Sequence, residues 1–544
     1  MFLIMSASFV DQELQSEFGK IPPSFLPLGN KRLFQHQLKL APKNSIVYLS
    51  LPESFFISNT DEKWLINQGV RILKIPENLS LGASLVASLN LSEHNLDSPF
   101  SVLFGDTLFN ELPVGENIIC VSESSNSYNW AVVTDNEMHW LTDSENKIDS
   151  NVRNIVNGYF RFSSPRNIIR SITRSNWEFL DGLNEYHKII GLTAVYSKQW
   201  LDFGHVNTYY NSKAHFTTQR AFNELRITSD YVEKSSFKSN KIAAEANWFS
   251  TLPYSLRNYI PQYLGSEKNN EKIRYKLEYL YLTALNELYV FSSLPVNTWE
   301  QILRQCIAFI KDCQQEKAPN DCNSNRLVEL FGDKTQVRLN DYCNSQNISM
   351  STQWIFNGEE KVSLEGILTE TERYLPKSDE KKWPLCVLHG DFCFSNVLYD
   401  FRSNRVKTID PRGMTLTGEQ TIYGDIRYDI AKLSHSIIGM YDWIIAGYYE
   451  VDIKGNNINF TIDESHIQKT IQQKFIEMVK VEFDLEASEL IAMQIQLFLS
   501  MLPLHHDDIN RQKALFANAF KLYFLMKGCK NDSNPNGRNE FQVF

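Results

Sequence analysis

Apolar and polar positions follow two different rhythms along this chain. Across residues 1–210, short apolar runs at 2–5, 45–49, 70–73, 99–104 and 117–121 are separated by segments with helical spacing, such as 32–40. That alternation predicts an α/β domain with a mainly parallel sheet. An aromatic and apolar cluster at 200–210 is followed by a polar stretch at 211–219, read as a boundary. Beyond it, two strand-like runs, 221–227 and 230–234, flank a short Thr228-Ser229 turn. In 240–252, Ile242, Ala246 and Phe249 recur at helical spacing and Pro253 supplies a stop. A strand is expected over 274–281, a long helix from Thr283 to Pro295, and another helix over 299–313. Residues 314–350 are polar, 351–535 read as largely helical around a central apolar hairpin, and 530–544 as a loose tail. Two domains are therefore expected, 1–212 and 213–544.

Length agrees with this division, because 544 residues exceed what one hydrophobic core usually serves. With 43% hydrophobic and 22% charged residues, the chain can bury a sizeable core. A net charge of −10 gives no positive field for a nucleic-acid backbone, so nucleic acid is not an expected partner. The apolar start, Met1 to Met5, reads as a buried strand, since it lacks the basic flank and long apolar run of a secretory signal. No run of about twenty uninterrupted apolar residues occurs, so no membrane span is expected. The eight cysteines form no Cys-x-x-Cys pairs and read as free thiols of a cytoplasmic protein. Small molecules are the expected partners, and a homo-oligomer is compatible with the chain.

The densest chemistry lies at 383–410. An apolar run, 383–388, leads into His389-Gly390-Asp391, and Asn396 opens a second run, 397–400. After a turn at 401–404, a third run, 405–409, ends on Asp410. A hairpin of that length brings Asn396 and Asp410 together, with Asp391 on the loop just before them. Phosphoryl transfer needs a carboxylate to accept the proton of an attacking hydroxyl and oxygen ligands to hold Mg²⁺ against nucleotide phosphates. Asp391 is the candidate base; Asn396 and Asp410 are the candidate metal ligands. His389 is expected to brace the loop by hydrogen bonding.

This His-Gly-Asp-x-x-x-x-Asn run with its downstream Asp resembles the aminoglycoside phosphotransferase and choline kinase superfamily, over roughly 214–535. The resemblance implies a two-lobed, protein-kinase-like α+β domain that uses ATP and Mg²⁺. Strand, strand and helix at 221–252 then correspond to the amino lobe. Lys234, ending the second strand, would meet the nucleotide phosphates, oriented by Glu245 on the next helix; Lys238 and Lys241 compete with it. No Gly-x-Gly-x-x-Gly precedes them, and Arg220-Ala221-Phe222-Asn223 has no glycine, so the grip on ATP shifts to side chains. Glu278 and Tyr279 resemble the interlobe hinge that meets adenine, and read equally well as plain strand. Asp429 in Gly424-Asp425-Ile426-Arg427-Tyr428-Asp429 reads as architectural. The aromatic stretch 440–449 reads as core, with an acceptor pocket, even for a quaternary ammonium, as the alternative.

In the first domain, Pro23 to Gln37 resembles the Leu-Pro-x-x-Gly-Lys-Pro-Leu segment of sugar-phosphate nucleotidyltransferases. Val102-Leu103-Phe104-Gly105-Asp106 and Trp200-Leu201-Asp202-Phe203-Gly204 supply the two acids that the family places around Mg²⁺. The implied fold is a Rossmann-like, GT-A-like nucleotidyltransferase using CTP or another nucleoside triphosphate. His205, Asn207 and Gly158 are candidates for ligand contact or for fixing turns. The first loop departs from the family: Ser6-Ala7-Ser8-Phe9-Val10 replaces a Gly-rich, Arg-bearing turn, and Pro23 stands where a phosphate-binding lysine is expected, with only Lys20 nearby. Fewer amides and one fewer cation weaken a phosphate cradle.

The combined expectation is a bifunctional enzyme. It phosphorylates a sugar, polyol or choline-like hydroxyl and then builds a nucleotide-activated precursor for cell-surface polysaccharide. The alternative is an active kinase whose amino-terminal domain only binds a nucleotide or sugar phosphate.

Overall fold

The computed structural model describes residues 1–124, 130–134, 140–143, 153–220, 225–236, 239–269, 272–320, 322, 324, 327–377 and 382–531. The chain forms two compact units, Met1–Phe216 with Phe291–Ser293, and Thr217–Val290 with Leu294–Phe544. The first division falls inside the helix Val206–Arg220, where the polar run 211–219 reads as a boundary from sequence. Polar residues such as Lys213 do not oppose a helix, and Ala214 and Phe216 are buried along it.

The amino-terminal unit is built on strands β1 (Phe2–Met5), β2 (Val47–Pro52), β3 (Arg71–Ile75), β4 (Phe100–Phe104), β5 (Thr107–Phe109), β6 (Ile118–Ser124), β7 (Ala131–Val133), β8 (Leu141–Asp143), β9 (Arg153–Phe162), β10 (Thr193–Tyr196) and β11 (Trp200–Asp202). The main sheet runs β10-β6-β9-β4-β1-β2-β3. It is mixed rather than wholly parallel: β1 pairs with β2 and β4 in parallel, whereas β9 runs antiparallel to β4 and β6. All four residues of β1 are buried, as a central parallel strand covered on both faces must be. Tyr48 and Val102 on its neighbouring strands, with Phe160 on β9, join one core with Leu85, Leu89, Ile172 and Leu183 from the flanking helices. The small antiparallel pair β5-β11 sets Asp202 opposite Thr107, next to Asp106.

The carboxyl-terminal unit opens with an antiparallel sheet, β12 (Leu225–Ile227), β13 (Tyr231–Ser236), β15 (Lys272–Glu278) and β14 (Tyr263–Asn269), in that order. The helix Ser239–Thr251 follows β13 and stops before Pro253. The long helix expected from Thr283 is instead a two-residue strand, Thr283–Ala284, and a helix of seven residues, Leu285–Phe291. Pairing of Thr283 with Tyr399 claims the first residues for a sheet. The helix Val296–Gln315 covers the second expected helix. Within the polar region 314–350 lies the helix Lys334–Gln346, whose apolar stripe is too sparse to stand out. The central hairpin is present as Val397–Asp400 and Arg405–Thr408. The run before His389 forms only a two-residue strand, Cys386–Val387. A second hairpin, Tyr449–Lys454 with Asn457–Ile462, was not expected; its alternating burial has a strand's period of two.

One described segment, Ala487–His505, is long and apolar enough to cross a membrane by length and composition. Its most apolar window is 72% buried within the protein, and a helix surrounded by core must be apolar on every side.

Candidate functional site

In the carboxyl-terminal unit the loop at 389–396 is held from below. Asp429 accepts hydrogen bonds from the backbone N–H groups of His389 at 2.7 Å and Gly390 at 2.8 Å. Asp429 is fully buried, and burial pushes its carboxyl up to about 7. It touches no open space, in keeping with an architectural role. His389 is also fully buried; its Nε2 lies 2.9 Å from the Ile409 carbonyl, and burial lowers its imidazole to about 4, so it is neutral at pH 7. The Trp248 indole donates to the Leu388 carbonyl at 2.8 Å. Gly390 has φ +78°, and a Cβ there would lie 2.7 Å from the Arg412 Cβ. Only glycine satisfies both demands.

That frame brings together the residues singled out from sequence. Asn396 Nδ2 donates to Asp391 Oδ2 at 3.1 Å and to the Asp391 carbonyl at 2.9 Å. Asp410 has a left-handed backbone, φ +57°, so the chain turns sharply as it leaves the hairpin. Its Oδ1 lies 2.6 Å from Lys234 Nζ, which also reaches Glu245 Oε2 at 3.1 Å. Tyr275 donates to the same Glu245 oxygen at 2.7 Å. Burial alone would lower the Lys234 ammonium, but Asp410 and Glu245 hold it above its ordinary value. Of the competing lysines, Lys241 is 73% exposed and 3.8 Å from Glu245, and Lys238 lies outside the described residues, as do residues 221–223 of the glycine-free turn. Asp391 and Asp410 are each 42% exposed, open enough for a ligand to reach.

Two expected contacts are weaker than the sequence implied. Glu278 N–H donates to Gln262 O at 2.9 Å and Tyr279 N–H to Asp230 O at 3.0 Å. Neither donor is free for an adenine, because edge-strand and turn pairing take both. The aromatic stretch buries Met440, Trp443 and Tyr448, which is core packing. A residue missed from sequence is Lys432: its Nζ sits 2.7 Å from Asp391 Oδ1. It follows Asp429 by three residues on the helix Arg427–Ile437, so it faces the same loop; that spacing was its available signal. Burial would raise the Asp391 carboxyl, but Lys432, then His389 and Arg412, hold it below its ordinary value.

In the amino-terminal unit, Asp106 and Asp202 converge on Gly204, where a Cβ would lie 2.9 Å from Asp106 Oδ2 and 3.3 Å from Asp202 Oδ1. The pair lines a cavity of about 580 Å³ with Trp130, Asn157, Gly158, Trp200 and His205. Burial first, and Asp202 second, push the Asp106 carboxyl up to about 6. His205 Nδ1 is 3.7 Å from Asp202 Oδ2, and that contact raises its imidazole. Among the described residues no group of three or more His, Cys, Asp or Glu side chains is placed to hold a metal ion. Two crowded carboxylates do fit one hard cation whose remaining ligands come from substrate and water. The altered first loop is folded inward: Ser6 Oγ accepts from Ser24 N–H at 3.0 Å. Lys20 lies 4.2 Å from the Phe9 ring centroid and 3.7 Å from Glu77.

No protein-family model matches the chain, and no curated protein matches its sequence. Among solved structures it is similar to the inositol-1-phosphate CTP transferase from T. maritima, at 17% identity over 40% of this chain and 96% of that one, TM-score 0.31. It is likewise similar to an aminoglycoside-3'-phosphotransferase of type VIII, at 12% identity over 54% of this chain and 99% of that one, TM-score 0.31. A third is a thermostable mutant of aminoglycoside phosphotransferase APH(4)-Ia solved with AMP-PNP and hygromycin B, at 13% identity over 55% and 88%, TM-score 0.35. These likenesses are of fold; the chemistry rests on the side chains described above.

Proposed function

We propose that the chain is a bifunctional transferase whose carboxyl-terminal unit moves the γ-phosphoryl group of ATP to a hydroxyl of a small molecule. The observation that carries this reading is Lys234 held between Glu245 and Asp410, with Asn396 and Asp391 hydrogen-bonded beside them. Lys234 meets the nucleotide phosphates, and Glu245 with Tyr275 keeps its ammonium charged and aimed. A Mg²⁺ ion, when bound by Asn396 Oδ1 and the Asp410 carboxylate, would neutralise phosphate charge. Asp391 receives the hydroxyl proton as the acceptor oxygen bonds to phosphorus and the bond to ADP breaks. Glu278 and Tyr279 border the adenine through side chains and carbonyls rather than N–H groups.

The amino-terminal unit joins the phosphorylated product to a nucleotide, CTP or another triphosphate, with release of pyrophosphate. Asp106 and Asp202 hold the cation there. The product is a nucleotide-activated building block of the kind consumed in cell-surface polysaccharide assembly, made in the cytoplasm. A second reading, in which this unit binds a nucleotide or sugar phosphate without reacting it, is favoured by Lys20 resting on Phe9 and Glu77 instead of a phosphate loop.

The test is ADP release from ATP and Mg²⁺ across a panel of hydroxyl compounds, followed by pyrophosphate release on adding CTP, UTP, GTP or dTTP. Activity that survives Asp391→Asn unchanged would refute Asp391 as the base, and absence of acceptor-dependent ADP release from the unaltered protein would refute the kinase assignment. Pyrophosphate release that is absent with every nucleotide would leave the binding-only reading of the first unit.

A further inference from the structure

The kinase reading leaves open what the acceptor looks like, and the surroundings of Asp391 carry an answer. Lys432 and Arg412 act on Asp391 itself, and Lys334 and Arg338 adjoin them around Tyr428, Arg338 also donating to the Ser500 carbonyl at 3.3 Å. Lys334 and Arg338 are one turn apart on the helix Lys334–Gln346, and Tyr428 and Lys432 are one turn apart on Arg427–Ile437. Each pair shares a helix face. Lys334 Nζ donates to the Tyr428 hydroxyl at 3.4 Å and lies 5.7 Å from its ring centroid. Arg412 packs against Gly390, and its N–H donates to the His389 carbonyl at 2.8 Å. Lys432 completes the set at Asp391.

Among the described residues, carboxylates do not balance these charges. Lys432 has Asp391 as a partner, but among the described residues no carboxylate stands within 4.0 Å of Lys334, Arg338 or Arg412. Of the acids nearby, Asp425 is committed to Arg427 at 2.5 Å. Asp442 is buried, with its carboxyl pushed up to about 7 by that burial. The cations feel one another: burial first, then Arg412, Arg338 and Lys432, draw the Lys334 ammonium below its ordinary value against the pull of Tyr428. Burial would raise the Tyr428 phenol, yet Lys334, Lys432 and Arg412 bring it down. Partly buried like charges repel at an energetic cost that a bound anion removes.

We propose, building on the kinase reading, that the acceptor carries an anionic group, a phosphate or a carboxylate, in addition to the hydroxyl it offers to Asp391. Lys334, Arg338 and Arg412 hold that group, and Lys432, already at Asp391, serves the reacting end. A choline-like cation is the wrong charge for this cluster, which narrows the sequence expectation of a sugar, polyol or choline-like acceptor to its acidic or phosphorylated members.

The full chain would be assayed for ADP release with matched acceptors: glycerol, glycerate and glycerol 3-phosphate; glucose, gluconate and glucose 6-phosphate; and choline. The anionic members are expected to exceed their neutral counterparts in kcat/KM by about tenfold or more, and whether glycerate and gluconate or the two phosphates turn over separates carboxylate from phosphate. Lys334→Gln and Arg338→Gln should raise the acceptor KM with little change in the KM for ATP, and Lys334→Arg should restore it. Neutral alcohols or choline used as well as the anions would overturn the proposal, as would a rise in the KM for ATP alone, which would assign the cluster to the nucleotide. If no compound turns over, calorimetry with inorganic phosphate decides: binding weakened by Lys334→Gln supports the site, and absence of such binding overturns it. Failure of the kinase reading itself would show separately, as loss of AMP-PNP binding to the unaltered protein.

Discussion

Lys234 and Asp410 meet at 2.6 Å although 176 residues separate them in sequence. The contact ties the second strand of the small antiparallel sheet to the end of the central hairpin. It also pre-positions a cation and a carboxylate at one place, the pair that the proposed phosphoryl transfer would use.

The first expectation concerns this pair. Lys234→Met removes the ammonium and leaves Glu245, at 1% exposure, with Tyr275 and the distant Lys241 as its side-chain partners among the described residues. Phosphoryl transfer should fall by about 10²-fold or more, and melting temperature should fall as well, since an unpaired buried charge is costly. Asp410→Asn keeps the shape and should lower activity comparably with a smaller change in melting temperature. Steady-state ADP release and differential scanning calorimetry on both variants check this.

Asp391→Asn should separate chemistry from binding. The side chain is 42% exposed and the amide can still accept from Asn396, but Lys432, 14% exposed, loses its carboxylate, so a moderate fall in melting temperature is expected beside the catalytic effect. Turnover should drop by about 10²–10⁴-fold, the range of a lost general base, with AMP-PNP affinity measured by calorimetry unchanged. Weakened nucleotide binding would move Asp391 from the acceptor to the nucleotide.

How much of this was legible beforehand follows from the range of each interaction. The strands β1 to β4 and the hairpin at 397–408 announce themselves because burial imposes a local period. Asp391, Asn396 and Asp410 are spaced along one short segment, so a motif contains them. Lys432 and Arg412 were not visible in that way: their meaning comes from packing against the 389–391 loop. The helix expected from Thr283 failed for the same reason, since pairing with Tyr399 overrides local periodicity. The N–H groups of Glu278 and Tyr279 are claimed by Gln262 and Asp230, partners that no local pattern names.

Asp429→Ala should act on stability and, through the loop that carries Asp391, on turnover. It would leave the N–H groups of His389 and Gly390 buried without acceptors, at about 1–3 kcal/mol for such a loss. Denaturant unfolding should show that deficit, while Asp429→Asn, which keeps an oxygen for one of the two donors, should recover part of it. Equal stability of all three proteins would mean that the loop is held by other contacts.

The final expectation concerns pH and metal at Asp106. Its carboxyl is raised to about 6 in the folded chain, against about 3.9 for an unfolded aspartate. The folded state therefore holds the proton more tightly than the unfolded state. Without a divalent ion, the contribution of this group to stability is full below about pH 4 and is lost as pH rises through 6, by roughly 1–3 kcal/mol. A cation between Asp106 and Asp202 would cancel the repulsion that, with burial, raises the carboxyl. Mg²⁺ should thus stabilise the unaltered protein at pH 7 far more than at pH 4.5. Asp106→Asn should flatten that part of the pH profile in the absence of metal, and it should remove most of the Mg²⁺ stabilisation. Thermal unfolding of both proteins across pH 4 to 8, with EDTA and with Mg²⁺, measures all three effects. An unaltered protein indifferent to Mg²⁺ at pH 7 would leave the two carboxylates without a metal role.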